Sequence, residues 1–389
     1  MIKWKTYKLG DIADIQTGPF GSQLHNKDYA LVGSPIVTVE HLGNRHFTIQ
    51  NLPLVSDADK ARLSKYILSE GDIVFSRVGS VDRCSYVSDK EVGWLFSGRC
   101  LRVRCNRGVY PLYIYYYFCL ESVKQYIRNV AVGATMPSIN TQIMSEIPIS
   151  LPSLEEQRRI AEILGAIDDK IENNRRINTN LELQAKALFD EWFITNTSRL
   201  GVFSKACLTD IANYLNGLAM QRYRPLEGEI GIPVLKIKEL GQGQCDSSSD
   251  LCSPSIEEKY IVRDGDIIFS WSGTLLVDIW CGGVCGLNQH LFKVTSDKYP
   301  QWFIYYWTKH HLAKFIRIAK DKAVTMGHIK RGDLEVSEVL IPDEKSFAEI
   351  DKVVFPIFKA IVANRIANRR LATLRDTLLP KLMNGEIKI

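Results

Sequence analysis

The stretch "IENNRRIN" (171–178) interrupts an apolar pattern that otherwise repeats every three and four residues from Ile160 to Trp192. This spacing is typical of a coiled coil, in which the repeating positions form a buried seam. Asparagine occupies two of those seam positions, Asn174 and Asn178. The stretch therefore predicts a long helix whose seam is polar at its centre.

A second stretch, "IVANRIAN" (361–368), repeats this pattern near the C-terminus. It lies 190 residues further along, and Asn364 and Asn368 stand at the two equivalent positions. If the two helices pair antiparallel, Asn174 meets Asn368 and Asn178 meets Asn364. A parallel pairing would also match asparagine with asparagine, so the pattern alone does not choose. The two-fold relation implied by a repeated sequence favours the antiparallel pair.

The two asparagine pairs are predicted to fix the register of the helices. A buried asparagine that slipped to face an isoleucine would lose its hydrogen-bond partner, at about 1–3 kcal/mol each. The alternative is that these asparagines face solvent or a third partner. One pair in the predicted register is poor, because Ile167 faces Arg375. The long Arg375 side chain is expected to reach solvent there.

The rest of the chain also contains an internal sequence repeat. "LGDIADIQTG" (9–18) recurs as "LTDIANYLNG" (208–217), and "YILSEGDIVFSRVG" (66–79) recurs as "YIVRDGDIIFSWSG" (260–273). Short β-branched runs bounded by Gly and Asp predict several strands in each copy. "LYIYYYFCLESVKQYIRNV" (112–130) predicts an amphipathic helix whose aromatic residues belong to the core. The sequence thus predicts an α+β fold with two pseudo-repeated globular domains, separated by two long helices that form an antiparallel coiled coil.

Four segments follow from this pattern: a first domain (1–153), a first long helix (154–199), a second domain (200–342) and a second long helix (343–389). Ser153 with Glu156 predicts a capping box at the start of the first helix. A helix of about 40 residues is about 60 Å long. That exceeds one turn of B-DNA, about 34–36 Å, so such helices could hold two related domains on two half-sites of one duplex.

Composition excludes several classes of protein. The chain has 46% apolar residues and a net charge of +5, which permits nucleic-acid binding without demanding it. Its nine cysteines form neither a disulfide framework nor a zinc spacing. There is no run of about 18 apolar residues and no signal-peptide core, so a cytoplasmic location is expected.

Motifs for catalysis are missing from the sequence. It lacks the Gly-rich loop and Asn/Asp-Pro-Pro-aromatic motif of a DNA methyltransferase and the phosphate-binding loop of an ATPase. "PDEK" (342–345) faintly resembles a nuclease motif but lacks the second acidic-x-Lys element, and the seven histidines form no metal pattern. We therefore expect a protein that is not an enzyme and that binds neither a metal nor a cofactor.

Several segments together resemble one known family. They are "GPFGSQLH" (18–25), the strands "GDIVFSR" (71–77) and "GDIIFSW" (265–271), "ISLPSLEEQRRIAEIL" (149–164) and "LRDTLLPKLMNGEI" (374–387). In order and spacing, over the whole chain, they look like the specificity (S) subunit of type I restriction-modification systems. The two globular domains correspond to target recognition domains in that family.

This resemblance implies a function and a set of partners. The chain would be a non-catalytic subunit that recognises double-stranded DNA, each recognition domain reading one half of a bipartite asymmetric site. The helix pair would set the gap between the halves and dock two modification (methyltransferase) subunits, and through them the restriction subunits. S-adenosylmethionine and ATP with Mg²⁺ would be bound by those partner subunits and not by this chain.

Candidate DNA-contacting residues are the polar and basic side chains of the loops, because such side chains reach base edges and phosphates. In the first domain they are Ser22, Gln23, His25, Lys27, Arg77 and Arg83. In the second domain they are Gln221, Arg222, Tyr223, Arg224, Lys320, Lys322, His328, Lys330 and Arg331. The loops at 18–27 and 217–225 stand at equivalent points yet differ completely, as readers of different half-sites should.

Two other interpretations stay open at this point. The chain could be a two-domain coiled-coil scaffold that binds protein partners and no nucleic acid. It could also be the specificity subunit of a system that only methylates DNA, which differs from the first interpretation in its genomic neighbours alone. The bases that would be recognised cannot be predicted from loop composition.

Overall fold

The computed structural model describes residues 4–19, 21, 23–25, 28–195, 203–321 and 327–389. The chain divides into two compact units. Unit 1 contains Met1–Asp169 and Ala372–Ile389, and unit 2 contains Lys170–Leu371. Both boundaries fall inside the long helices, so each unit includes part of both. The division into two recognition domains and two spacer helices remains a prediction.

Unit 1 is built from short strands and helices, followed by the start of a long helix. Its strands are β1 (Lys5–Lys8), β2 (Ala13–Thr17), β3 (Tyr29–Ala30), β4 (Ser34–Val37), β5 (Leu54–Val55), β6 (Ile73–Ser76), β7 (Cys84–Tyr86), β8 (Leu95–Phe96), β9 (Cys100–Cys105) and β10 (Pro148–Leu151). Its helices are α1 (Leu9–Ile12), α2 (Asp57–Arg62), α3 (Pro111–Cys119), α4 (Glu121–Val130), α5 (Thr141–Ser145) and the start of α6 (Leu154–Phe189).

Unit 2 follows a similar order, although among its described residues no strand corresponds to β3 and a single helix replaces α3 and α4. Its strands are β11 (Phe203–Cys207), β12 (Asn213–Asn216), β13 (Ile232–Leu235), β14 (Leu251–Cys252), β15 (Ile261–Val262), β16 (Ile267–Ser270), β17 (Leu276–Ile279), β18 (Cys285–Leu287), β19 (Leu291–Thr295) and β20 (Glu338–Pro342). Its helices are α7 (Leu208–Ile211), α8 (Ile237–Gln242), α9 (Gln301–Asp321), α10 (Arg331–Glu335) and most of α11 (Glu344–Met383). A π-helical turn (Asp190–Thr195) follows α6.

One antiparallel sheet in each unit has the same topology, which confirms the internal repeat, while the second sheets, β3-β5-β4-β8 and β14-β13-β18-β15, differ in their edge strands. An antiparallel sheet in the order β2-β9-β6-β7 in unit 1 matches β12-β19-β16-β17 in unit 2. A second sheet contains one parallel pair in each unit, β4 with β8 and β13 with β18. The first and last strands of each copy pair with each other, β1 with β10 and β11 with β20. The predicted α+β class with two repeated domains is correct.

The aromatic residues of the predicted helix belong to the core, as expected. Tyr113, Tyr116 and Phe118 are fully buried in unit 1. The single helix predicted over 112–130 is wrong, however, because the chain breaks it at Leu120. That residue has extended dihedral angles and places its side chain in the core. No glycine or proline marks the break, so burial of Leu120 rather than a turn signal causes it.

Two local predictions about the chain are also borne out. The Oγ of Ser153 accepts a hydrogen bond from the backbone N–H of Glu156 (3.2 Å), which caps the start of α6. All nine cysteines are free of disulfide bonds, and each is buried or half-buried. None of the helices in the described part of the chain has the length and apolar content needed to cross a membrane.

His311 makes the stability of unit 2 depend on pH. Burial lowers the pKa of this side chain from 6.5 to about 4, and its Nε2 lies 2.9 Å from the carbonyl oxygen of Glu338. Between pH 6.5 and about 4, His311 therefore binds a proton in the unfolded chain but not in the folded chain. We expect the contribution of His311 to stability to be complete above about pH 6.5 and to be lost as the pH falls from 6.5 to 4.

Chemical unfolding at several pH values tests this expectation. His311→Gln should reduce the loss of stability between pH 6.5 and 4, because glutamine carries no titrating group and can still donate to the Glu338 carbonyl. His25→Gln, which alters an exposed histidine of unit 1, serves as the control. If His311→Gln keeps the full pH dependence, other groups are responsible for it.

Candidate nucleic-acid interface

Four asparagines meet at the centre of the helix pair within unit 2. The Asn174 side-chain amide donates a hydrogen bond to Oδ1 of Asn368 (2.8 Å), and the Asn364 amide donates one to Oδ1 of Asn178 (2.9 Å). Asn174 and Asn178 are buried. The partners run in opposite order along α6 and α11. The helices are therefore antiparallel here, in the register that the sequence predicts.

The two accepting asparagines also donate hydrogen bonds. Asn368 donates to the carbonyl oxygen of Ile171 (3.2 Å), and Asn178 donates to that of Ile361 (3.0 Å). A shift of 190 residues converts one set of bonds into the other, as a local two-fold axis requires. We call these four side chains the asparagine lock. A slip of either helix would break all four bonds, at about 1–3 kcal/mol for each buried group left unpaired.

In unit 1 the contact between α6 and α11 is ionic. Asp168 is buried, and its carboxylate accepts hydrogen bonds from Nη1 of Arg375 (2.7 Å) and from the hydroxyl of Tyr116 (2.7 Å). Burial and the adjacent carboxylate raise the pKa of Tyr116, so its hydroxyl remains a donor. Burial alone would lower the pKa of Arg375, but the Asp168 carboxylate outweighs it and the pKa is raised. We call these three residues the ionic cluster.

The ionic cluster corrects the predicted seam. Ile167 was expected at the seam opposite an arginine that reaches solvent, yet Ile167 is only half-buried and its neighbour Asp168 is buried instead. Arg375 binds Asp168 rather than pointing into solvent. A carboxylate with two donors can occupy the interior, because its hydrogen bonds offset the loss of hydration.

The end of α6 in unit 2 also departs from the predicted seam. Leu188 and Trp192 were expected at seam positions, but both are half-buried, while Phe189 and Phe193 are buried in the core. A π-helical turn begins directly after Phe189 and contains Phe193. Packing against the core of unit 2 therefore overrides the heptad pattern here.

The equivalent of the ionic cluster in unit 2 is apolar. Ala185 and Phe358 stand at the positions related by the repeat to Arg375 and Asp168, and both are fully buried. The ring of Phe358 packs on Tyr305, with 5.9 Å between ring centroids. One helix contact is therefore held by charge and the other by apolar packing.

Ionic contacts in unit 2 lie elsewhere on α11. Arg365 donates to Asp278 on β17 (2.8 Å) and to Glu182 on α6 (2.8 Å). Arg369 donates to both carboxylate oxygens of Asp264 (2.6 and 2.7 Å). These contacts tie the second long helix to the second globular domain.

Four chain segments of unit 1 meet at one end of the β2-β9-β6-β7 sheet. A turn over 97–100 precedes β9, and the carbonyl of Cys100 accepts a hydrogen bond from the N–H of Gly18 (3.1 Å). Arg77 donates its N–H to the carbonyl of Arg99 (2.8 Å) and accepts at its own carbonyl from Ile139 (3.0 Å). We call residues 17–18, 77–79, 97–100 and 137–139 the first corner.

Unit 2 builds the same backbone frame. The N–H of Gly217 donates to the carbonyl of Leu291 (3.0 Å), that of Trp271 donates to His290 (3.4 Å), and that of Ile329 donates to Trp271 (3.1 Å). We call residues 216–217, 271–273, 288–291 and 327–329 the second corner. The two corners share these hydrogen bonds but differ in side chain where Arg77 corresponds to Trp271 and Arg99 corresponds to His290.

Both corners require glycine where the loop leaves the sheet. A Cβ on Gly18 would lie 2.1 Å from the carbonyl oxygen of Ser97, and a Cβ on Gly217 would lie 2.2 Å from that of Asn288. Backbone cannot yield as a flexible side chain can, so Gly18→Ala and Gly217→Ala should each cost about 3 kcal/mol or more. Gly21→Ala, where no atom lies within 4 Å, is the matched control.

Thermal unfolding of the three glycine variants is the measurement. We expect both corner variants to melt well below the unaltered chain and Gly21→Ala to melt with it. Equal melting temperatures for Gly18→Ala and Gly21→Ala would contradict the close approach at the first corner.

Arginine dominates the first corner. The Arg77 guanidinium is half-buried and donates to the carbonyl oxygen of Gly98 (3.2 Å). Arg99 is exposed in the adjacent turn. Neither arginine makes an ion pair with any described residue, whereas Arg102 and Arg104 on the following strand pair with carboxylates.

Aromatic and amide groups replace these arginines in the second corner. Trp271 stands at the position of Arg77, stacks on Phe292 at 5.7 Å, and donates its indole N–H to Oδ1 of Asn216 (2.9 Å). His290 stands at the position of Arg99, and its Nδ1 lies 3.0 Å from Oγ of Ser272. The two halves thus present different chemistry on one frame.

The sequence alone did not indicate Arg99, Gln289, His290 or Asn216 as site residues. They stand next to or within the turn that precedes β9 or β19, where "SGRC" (97–100) and "NQHL" (288–291) share no letter. The position of this turn in the repeat, rather than its residue types, is the signal that would have found them.

In unit 1, the predicted DNA-contacting residues do not form one group. Arg77 lies in the first corner, and His25 is exposed. Gln23 accepts a hydrogen bond at its side chain from the Tyr66 hydroxyl (2.8 Å). Arg83 is exposed and lies over Gly43, outside the first corner. Ser22 and Lys27 lie outside the described residues.

In unit 2, a buried Met220 anchors the loop that follows Gly217. The four residues after it are all exposed: Gln221, Arg222, Tyr223 and Arg224. His328 lies in the second corner, with its ring 6.4 Å from that of Trp271. Further exposed basic residues are Lys320, Lys330 and Arg331, and Lys322 lies outside the described residues. As contacts to DNA, all these residues stay predictions.

Comparison with known proteins identifies a family model and relatives of similar sequence. Residues 1–183 match the family model described as a type I restriction modification DNA specificity domain. The type I restriction enzyme MjaIX specificity subunit of Methanocaldococcus jannaschii is 26% identical, over 99% of this chain and 94% of its own length. Over its full length the chain is similar to type I restriction enzyme specificity subunits, and residues 1–183 match their DNA specificity domain.

Another specificity subunit and a solved S subunit are also similar over nearly their full length. The HindI specificity subunit of Haemophilus influenzae is 20% identical over 100% of both chains. The crystal structure of the type I restriction-modification system S subunit from M. genitalium has the same fold, with a TM-score of 0.64, 15% identity and coverage of 98% of this chain and 96% of that one. The chain therefore shares the fold of that S subunit.

Over the described residues, no group of three or more His, Cys, Asp or Glu side chains could hold a metal ion. The expectations that the chain binds no cofactor and performs no catalysis stay predictions.

Proposed function

We propose that this chain is the DNA sequence-recognition subunit of a type I restriction-modification complex. Each globular domain reads one half of a bipartite asymmetric site in double-stranded DNA. The observation that carries the proposal is the pair of corners, in which one backbone frame presents arginine in unit 1 and indole, amide and imidazole groups in unit 2. Two readers of different sequences need such a shared frame with different side chains.

The helix pair would set the gap between the two half-sites. The asparagine lock supports this role, because four hydrogen bonds define one register. The same helices would dock two modification (methyltransferase) subunits, and restriction subunits would join through them. Those subunits would bind S-adenosylmethionine and ATP with Mg²⁺. This chain would recognise DNA and would not catalyse a reaction.

A two-domain scaffold that binds only proteins is the alternative. It gives no reason for exposing Gln221–Arg224 beside the second corner or for leaving Arg77 and Arg99 without carboxylate partners among the described residues. Unneutralised cations and amides at loop ends favour a ligand rich in acceptor atoms, which nucleic acid is.

DNA binding at two salt concentrations separates the two functions. The chain, assembled with its cognate methyltransferase, should bind duplex DNA with an affinity that falls steeply between about 50 and 200 mM salt, because phosphate contacts release counterions. The methyltransferase without this chain is the control. Binding that is absent, or that the chain does not change, would support the scaffold instead.

A heptad insertion tests the role of the helices. Seven residues added to α6 between the asparagine lock and the second domain lengthen that helix by about 10 Å. We expect the modified sites in host DNA to show a wider gap with unchanged half-sites. An unchanged gap would count against the spacer role but not against DNA recognition.

A further inference from the structure

Arg77 and Arg99 stand side by side in the first corner, and no carboxylate among the described residues pairs with either of them. The backbone N–H of Arg77 bonds to the carbonyl of Arg99 at 2.8 Å, so the two residues are neighbours on adjacent strand ends. Two arginines in such a position repel each other. Elsewhere on this sheet, Arg102 pairs with Asp14 and Arg104 pairs with Asp72. The first corner therefore lacks the carboxylates that the same sheet supplies to its other arginines.

The geometry restrains Arg77 more than an ordinary surface arginine. Its side chain is half-buried, and one N–H group donates to the Gly98 carbonyl at 3.2 Å. A guanidinium has five N–H donors, so several remain for a ligand. Prior restraint reduces the entropy lost on binding. The corner thus presents a fixed fork of donors beside a second, exposed arginine.

Guanine is the base that matches this arrangement. In the major groove it presents two acceptors, N7 and O6, and arginine is the commonest side chain to bind them together. Phosphate also accepts from arginine, but the phosphate backbone is the same for any sequence. At the two equivalent positions of the second corner stand Trp271 and His290. A contact to phosphate would not require this change of chemistry between the two halves, whereas a contact to a base would.

We propose that Arg77 and Arg99 determine specificity for a guanine in the half-site read by unit 1. This assignment rests on the proposed function, since it presumes that the chain recognises DNA. It adds to that function the two residues that contact the base and the identity of the base, neither of which the loops at 18–27 and 217–225 indicate. The corner of unit 2, with Gln289 and His290 in the equivalent turn, reads the other half-site.

The experiment sequences methylated sites in DNA from a host that expresses the complete chain with its cognate methyltransferase. The unaltered complex gives the bipartite sequence. Arg77→Ala and Arg99→Ala should each lower discrimination at one guanine of one half-site by about tenfold or more, leaving the other half-site unchanged. Arg77→Lys and Arg99→Lys should keep affinity for non-specific DNA yet lose discrimination, because lysine keeps the charge without the fork.

Arg107→Ala is the matched control. Arg107 is an exposed arginine just beyond the opposite end of β9 from Arg99, and its replacement should change neither half-site. Gln289→Ala with His290→Ala should alter only the other half-site. Melting curves of the purified complexes show whether each variant is folded, and the lysine variants retain the test if an alanine variant is not.

Three results would overturn the proposal. A uniform loss of affinity with an unchanged methylated sequence assigns the arginines to phosphates. An unchanged sequence at unchanged affinity removes them from the interface, and a change in both half-sites breaks the link to one unit. Failure of the proposed function is a different outcome, because the unaltered complex itself would then methylate no defined sequence.

Discussion

Replacing Asp168 by alanine is expected to destabilise unit 1 by about 3 kcal/mol. The substitution leaves the Arg375 guanidinium without its carboxylate and the Tyr116 hydroxyl without its acceptor, in a contact where Asp168 is 8% exposed. Removing one partner of a buried ion pair costs about 3–5 kcal/mol. The low end of that range applies, because the Arg375 side chain is 31% exposed.

Urea unfolding of the full chain measures this effect. Glu155→Ala is the matched control, because Glu155 lies on the same helix and its carboxylate, 76% exposed, pairs with the 55% exposed Arg159 at 2.7 Å. Such an exposed pair contributes about 0–1 kcal/mol. The double variant Asp168→Phe with Arg375→Ala introduces the apolar pair of unit 2 and should recover most of the lost stability. Equal losses for Asp168→Ala and Glu155→Ala would contradict the role of the buried carboxylate.

Partial removal of the asparagine lock should lower the stability of unit 2, whereas complete removal should not. Asn178→Leu alone leaves the Asn364 amide without its acceptor in the helix contact, so it should destabilise unit 2 by about 1–3 kcal/mol. Replacing all four asparagines by leucine removes every polar partner together. That variant should be as stable as the unaltered chain or more stable, because buried apolar pairs replace amide pairs.

The complete replacement should also weaken the definition of register. Disulfide trapping measures the register. One cysteine pair is placed at facing seam positions of the two helices, and a second pair is placed so that it can form only if one helix is shifted by one heptad. We expect a single trapped register in the unaltered helices and more than one in the four-leucine variant. Asn173→Leu changes an exposed asparagine of the same helix and controls for composition. A single register in the four-leucine variant would show that apolar packing alone sets it.

The sequence was most informative where its pattern was local and repeated. Asparagines spaced four residues apart in both long helices predicted their own partners, because an antiparallel pair has few registers that match polar with polar. The repeat also predicted one fold built twice. These inferences needed only periodicity and the rule that buried polar groups find partners.

It was least informative where a partner comes from a distant segment. Nothing near Asp168 marks it for burial, because its donors Tyr116 and Arg375 belong to other elements. Arg99 lies in a turn whose importance depends on Arg77 and Gly18 arriving at the same place. The break at Leu120 has no glycine or proline to announce it. Each of these features is decided by tertiary packing, which a pattern along the chain does not contain.

The asparagine lock and the ionic cluster differ in symmetry. The bonds of the lock are unchanged when the two helices are exchanged, so two identical half-length chains could form the same lock as a dimer. The ionic cluster cannot be made that way, because the residue equivalent to Arg375 in the first half is Ala185. The lock is thus compatible with a symmetric dimer of half-length chains, whereas the cluster needs the two different halves of the present chain. A present-day first half paired with its own copy would bury Asp168 without a cation, which favours the single long chain over its separated halves.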